Sequence, residues 1–129
     1  RLAHEQLEQL AETVRHRQDV AAAYLDTLTV DVPAGAAQSG AALIRLPLLV
    51  SNRQEVVAAL GAAGVYSLDS WYDAPVGPER YFARVDYPTT ECPVAVRTSE
   101  RIMNLPTHHR VTAGQAKMIA KIINEVAVQ

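Results

Sequence analysis

The side chains of this sequence that could do chemistry are few and scattered. His108 and His109 are adjacent. Neighbours on a strand or turn point in different directions, so the pair alone does not make a metal site. Cys92 is the single cysteine and has no obvious base beside it, so it reads as an inert, buried thiol. Lys117 and Lys121 stand one helical turn apart near the C-terminus. They read as a solvated cationic face that suits the negative end of a helix dipole. There is no phosphate-cradling glycine loop, no cysteine pair, no HExxH and no GxSxG. No residue of the chain is assigned a catalytic or metal-ligating role.

Binding chemistry is better represented. Trp71 and Tyr72 lie in a stretch, residues 69–90, that also holds Tyr81, Phe82 and Tyr87 among three prolines and a glycine. A long connection without regular structure is usually functional or disordered, and its aromatic content favours the ordered kind. Trp and Tyr offer flat apolar faces with one polar tip, which suits a ring-shaped ligand. His108 follows a strand end and Pro106, which would hold its ring at a fixed exit. Trp71, Tyr72 and His108 are therefore the candidate binding residues, expected on one side of the domain. The competing reading makes Trp71 a core plug under the sheet and His108 a capped surface residue.

The elements that must position these residues can be read from periodicity. Over residues 2–28 apolar side chains recur at Leu7, Leu10, Val14, Ala21, Leu25 and Leu28, one face of a helix about 40 Å long. Glu5, Glu8, Glu12, Arg15, Arg17 and Asp19 form its solvated face. Its length predicts that Leu7, Leu10 and Val14 are poorly covered. Residues 31–40 form a loop rich in Gly and Pro. Residues 42–50 predict a strand with Pro47 at an edge or bulge. Ser51 with Gln54 predicts a capping box opening a helix that buries Val56, Val57 and Leu60 and ends at Gly64. Residues 65–68 and 102–105 predict strands. Pro93 suits the first turn of a helix to about residue 100. Thr112 with Gln115 caps a last helix facing inward through Ala116, Ile119, Ile123 and Val126. The expected fold is α/β with an α+β character. It is a single two-layer domain over residues 1–129, a small sheet with packed helices and a long N-terminal linking helix.

Composition sets the outer limits. The chain has 129 residues, 49% hydrophobic, with a formal net charge of -2, which suits one ordinary globular domain. A near-neutral charge with 5% aromatic residues argues against nucleic acid as a partner. No apolar run is long enough to cross a bilayer, so no membrane association is expected. A single cysteine cannot close an internal disulfide, which points to a reducing compartment, the cytoplasm.

Several stretches, taken in order, resemble the DegT/DnrJ family of sugar aminotransferases. Cys92-Pro93-Val94-Ala95 leading to Asn104-Leu105-Pro106-Thr107-His108 is similar to the closing segment of that family. Arg15-His16-Arg17 with Tyr24-Leu25 resembles its arginine-rich linking helix. Asn52-Arg53-Gln54-Glu55 with Leu60 to Val65 resembles its next helix and turn, and Tyr72-Asp73-Ala74-Pro75 its aromatic loop. Two departures concern the substrate. Val96 stands where a glutamate is usual, and no histidine follows Pro75.

The resemblance implies that the chain is a C-terminal small domain of the aspartate-aminotransferase fold type, with the large cofactor-binding domain outside it. In such enzymes the large domain carries pyridoxal phosphate as a Schiff base on a lysine. An amino group then passes, usually from glutamate, to a keto group of a nucleotide-linked sugar. The implied partners are those two substrates and a second copy, as a homodimer. The resemblance also implies that these 129 residues alone bind no cofactor. It places Trp71, Tyr72 and His108 toward the sugar nucleotide. An arginine near this strand clamps the substrate carboxylate in related enzymes. Arg101 stands loosely there, and its simpler reading is a surface residue packing its stem on Trp71 or the last helix. The alternative function is a non-catalytic ligand- or partner-binding module that keeps the small-domain fold.

Overall fold

The pairing of two short strands fixes the centre of the molecule. In the computed structural model, which describes residues 2–36, 38, 40–66, 74–77, 84–87 and 91–128, with side chains from residue 4 onward, β1 (Arg45–Leu49) and β2 (Ile102–Pro106) pair antiparallel. Their register sets Pro47 opposite Asn104 and Leu48 opposite Met103. The Val50 N–H donates to the Arg101 carbonyl at 3.0 Å just beyond the strands. The two N–H···O bonds of a pair recur at every second residue, so Leu48–Met103 and Leu46–Leu105 are the hydrogen-bonded pairs. Pro47 lies at a non-bonded pair, where its missing N–H costs the ladder nothing. On the same outer edge Leu49 donates to the Asp31 carbonyl at 2.9 Å.

The strand period of two divides this sheet into faces. Leu46, Leu48, Val50, Met103 and Leu105 point inward and are fully buried. They meet Val20 and Tyr24 of α2 (Leu10–Leu25), Val56 and Leu60 of α3 (Arg53–Ala62), and Ala116, Ile119, Ala120 and Ile123 of α5 (Ala113–Val126) in one core. α5 packs against both α2 and α3. The opposite face carries Arg45, Pro47, Ile102 and Asn104. α4 (Pro93–Arg101) approaches β1. The architecture is the expected one, a small sheet with packed helices.

Several ends were legible locally. Thr112 and Gln115 make the expected reciprocal capping box on α5, which satisfies two otherwise orphaned N–H groups. Pro93 occupies the first turn of α4. Gly64, at φ +74, ends α3 in a left-handed conformation that costs glycine no steric penalty. Val65 then donates to the Leu60 carbonyl at 2.9 Å and Gly64 to that of Gly61 at 3.0 Å, a Schellman closure.

Other boundaries moved. The first helix is two: α1 (Leu2–Glu8) and α2, parted at Gln9. The break is one residue wide, because the Gln9 carbonyl still accepts the Thr13 N–H at 3.0 Å. α2 stops at Leu25 rather than 28. There the Thr27 hydroxyl donates to the Ala23 carbonyl at 3.1 Å, a side-chain bond that competes with the helix ladder. Leu7 and Leu10 are uncovered, at 66% and 51% exposure, while Val14 is half-buried. The strand expected over 42–50 begins only at Arg45, because side chains take the carbonyls of Leu43 and Ile44. The cap of α3 is Asn52 rather than Ser51, and its side chain makes no capping bond. That amide instead binds the C-terminal segment, donating to the Val126 carbonyl at 2.9 Å and accepting the Val128 N–H at 2.7 Å. Val65 and Tyr66 are not in a strand, and the rest of the expected 65–68 strand lies outside the described residues.

Two substitutions test this core. Met103→Ala should cost about 2–5 kcal/mol of unfolding free energy through the cavity it leaves, and Thr112→Ala about 1 kcal/mol through the lost cap. Chemical denaturation reads both. A Met103→Ala cost below that of Thr112→Ala would contradict the packing described.

Candidate functional site

The segment after β2 is held by side chains from α2. Arg17 reaches off its helix and donates through Nη1 to the Ile44 carbonyl at 3.0 Å and to the Thr107 hydroxyl at 3.2 Å. Thr107 is fully buried. Its one hydroxyl proton is shared between the carbonyls of Leu43 at 2.6 Å and Ile44 at 2.7 Å. Two turns further along α2, the buried Tyr24 hydroxyl donates to the Pro106 carbonyl at 3.2 Å. Burial pushes the Tyr24 phenol well above its usual range, so it stays a neutral donor. His16 Nε2 lies 3.3 Å from the His108 carbonyl. Three α2 residues thus grip three consecutive residues at the end of β2. Arg17, read from the sequence as part of a solvated face, is a structural ligand of that turn.

His108 emerges from this grip exposed. Its Nδ1 accepts the Arg110 N–H at 3.2 Å. That bond assigns the neutral tautomer with the proton on Nε2, a donor free to meet a ligand. Its ring stands edge-on to His109, with centroids 6.1 Å apart. Partial burial lowers the His108 pKa, and positive charge from His109, Arg110, Arg17 and Arg45 adds to the effect. The His109 ring also borders a small polar cleft of about 530 Å³ with Glu12, Thr13, His16 and Arg17 of α2.

His108 is the candidate binding residue that falls within the described structure. Trp71 and Tyr72 lie outside the described residues, so their side relative to His108 is not assigned. Cys92 is exposed rather than buried. It lies at the N-cap of α4, where Pro93 turns the chain at the surface. Lys117 and Lys121 are exposed on α5 as expected, and neither borders a described cavity. Arg101, the last residue of α4, is half-buried, with Nε enclosed and without a hydrogen-bond partner among the described residues. The contacts that hold the site, Arg17 and Thr107, were missed because they join residues 90 apart. The only local trace of them is an arginine on an otherwise amphipathic helix.

The His108 environment sets a pH dependence. Its folded pKa is lower than its unfolded value, so near and below pH ~6.5 the unfolded chain binds more protons and stability falls as pH falls. His108→Gln should remove that portion. The variant should lose less stability than the parent between about pH 7.5 and about pH 5.5, read by urea denaturation at each pH. Equal losses would show that His108 does not carry the effect.

Residues 2–124 match the model of the DegT/DnrJ/EryC1/StrS aminotransferase family. The crystal structure of a DegT/DnrJ/EryC1/StrS aminotransferase from Brucella abortus is similar, with a TM-score of 0.71 and 25% sequence identity. That match covers 94% of this chain and 33% of the other, so the chain spans about a third of the length of its solved relative. No curated protein matches. With the family model spanning nearly all of its residues, the chain belongs to the DegT/DnrJ/EryC1/StrS aminotransferase family.

Proposed function

We propose that this chain is the C-terminal small domain of a pyridoxal-phosphate-dependent aminotransferase that moves an amino group, from glutamate, to a keto group of a nucleotide-linked sugar. The observation that carries the reading is the family match over residues 2–124, together with the Pro106–His108 turn held rigidly to α2. In such an enzyme the cofactor supplies an electron sink and the protein supplies orientation and electrostatics.

The residues of this chain do not fit the cofactor-attachment role. Both lysines are exposed on α5. Neither stands in the desolvated pocket that activates a Schiff-base lysine. The large domain holds the cofactor, and the enzyme works in the cytoplasm as a homodimer. This chain's part is to close one side of the cleft. There the His108 Nε2–H, held by a gripped backbone, donates to a sugar hydroxyl, and Trp71 and Tyr72 offer ring faces to the sugar nucleotide. The exposed Leu7 and Leu10 belong to the surface that meets the rest of the enzyme. No helix among the described residues is long and apolar enough to cross a membrane.

Borohydride reduction of the full-length protein with pyridoxal phosphate, followed by peptide mapping, tests this reading. The label should fall on one lysine outside residues 1–129, and Lys117→Arg and Lys121→Arg should keep full turnover. Stoichiometric labelling of either α5 lysine would overturn it. With the full-length enzyme, His108→Ala should raise KM for the sugar substrate about three- to tenfold, the loss of one hydrogen bond, and leave the cofactor's visible spectrum unchanged. An unaltered KM would remove His108 from the site, and absence of turnover with any nucleotide sugar would favour the non-catalytic module.

A further inference from the structure

The stretch from Pro106 to Arg110 gathers charge of one sign. Arg17 reaches it from α2 through the Thr107 hydroxyl at 3.2 Å. Arg45 stands opposite Pro106 in the strand register. His16 Nε2 approaches the His108 carbonyl at 3.3 Å. The His109 ring stands edge-on to that of His108, and Arg110 follows at once. His108, His109 and Arg110 are all exposed. These groups come from α2, β1 and the turn itself, so the fold rather than the local sequence brings them together.

This charge is not cancelled on the spot. The partners of Arg17 are a carbonyl and a hydroxyl, so its half-buried guanidinium has no carboxylate partner among the described residues. The charges that act on His108 are those of His109, Arg110, Arg17 and Arg45, all of one sign. Glu12 is the carboxylate that borders the adjoining cleft, with His16, Arg17 and His109. With the histidines neutral, Arg17, Arg45 and Arg110 against Glu12 leave an excess of two positive charges. The chain as a whole carries -2, so this end departs from the rest in sign. A carboxylate would balance one guanidinium. A phosphoryl or diphosphate group balances two and offers acceptor oxygens to several donors at once.

We propose that the His108–Arg110 turn binds the diphosphate of the sugar nucleotide, a role that rests on the nucleotide-sugar reading above and names the residues that meet the anion. The Arg110 guanidinium and the His109 ring donate to phosphoryl oxygens. Arg17, held in place by Ile44 and Thr107, supplies a fixed positive charge behind them. In a nucleotide-linked sugar the diphosphate is bonded directly to the sugar ring. A turn that meets a sugar hydroxyl through His108 therefore has its next two residues within reach of the diphosphate.

Calorimetric titration of the cofactor-loaded full-length enzyme with inorganic pyrophosphate tests this, with uridine diphosphate as competitor. Pyrophosphate should bind, and uridine diphosphate should displace it. Arg110→Gln should weaken pyrophosphate at least about tenfold, the loss of one charge-assisted hydrogen bond. Lys121→Gln removes the same charge from the far half of α5 and should leave binding unchanged. Absence of pyrophosphate binding, binding that uridine diphosphate does not displace, or equal weakening by the two variants would overturn the proposal. Turnover separates this site from the reaction. Nucleotide-sugar turnover without pyrophosphate binding would refute the role of this turn alone. Displaceable, Arg110-dependent pyrophosphate binding without turnover of any nucleotide sugar would uphold the anion site and refute the transfer reaction.

Discussion

The grip of α2 on the end of β2 is the interaction on which the rest of the structure depends. A two-stranded sheet is marginal by itself. Here its far end is anchored by the Arg17 guanidinium, which satisfies the Ile44 carbonyl and the Thr107 hydroxyl together. A charged donor to buried neutral acceptors is stronger than an amide bond, and Thr107 is fully enclosed, so an unmade bond there would be costly. The same contacts end β1 at Arg45, since the carbonyls just before it are no longer available to a neighbouring strand. They also hold the backbone of His108 where the chain leaves the sheet. Core packing, strand length and the exit of the candidate binding residue follow from one cluster.

A second set of long-range bonds locks the helices to each other in the same manner. Asn52, just before α3, binds the segment after α5. Asn124 on α5 accepts the Thr29 N–H at 2.9 Å and donates to the Thr27 carbonyl at 2.7 Å, which ties down the chain after α2. Arg53 donates to the Ser99 carbonyl at 2.8 Å, an orphan of the last turn of α4. Each of these side chains satisfies backbone groups that a helix or strand end leaves open, so side chains close the joints between elements. The result is a rigid platform for the exposed His108 turn.

What could be read from the sequence was what is local. Thr112 with Gln115, Gly64 and Pro93 act within four residues of themselves, and each sits where the pattern put it. The inward faces of α3 and α5 were equally plain, because the helical period survives in their apolar residues. Arg17 looked like surface because its helix partners are polar, and nothing in its spacing points to Thr107, 90 residues away. The Ser51–Gln54 spacing matches a capping box, and nothing local shows that the last residues of the chain return to claim the Asn52 amide. The family resemblance, carried by short stretches in order, reached what the physics of spacing could not.

The central claim is that Arg17 and Thr107 form one cooperative unit. A double-mutant cycle with Arg17→Met, Thr107→Val and the pair, read by denaturant unfolding, measures it most directly. The account requires a coupling energy of about 1 kcal/mol or more between the two positions, with the double variant less destabilised than the sum of the singles. Additive losses within about 0.3 kcal/mol would show that the two side chains act independently, and would contradict the grip described here.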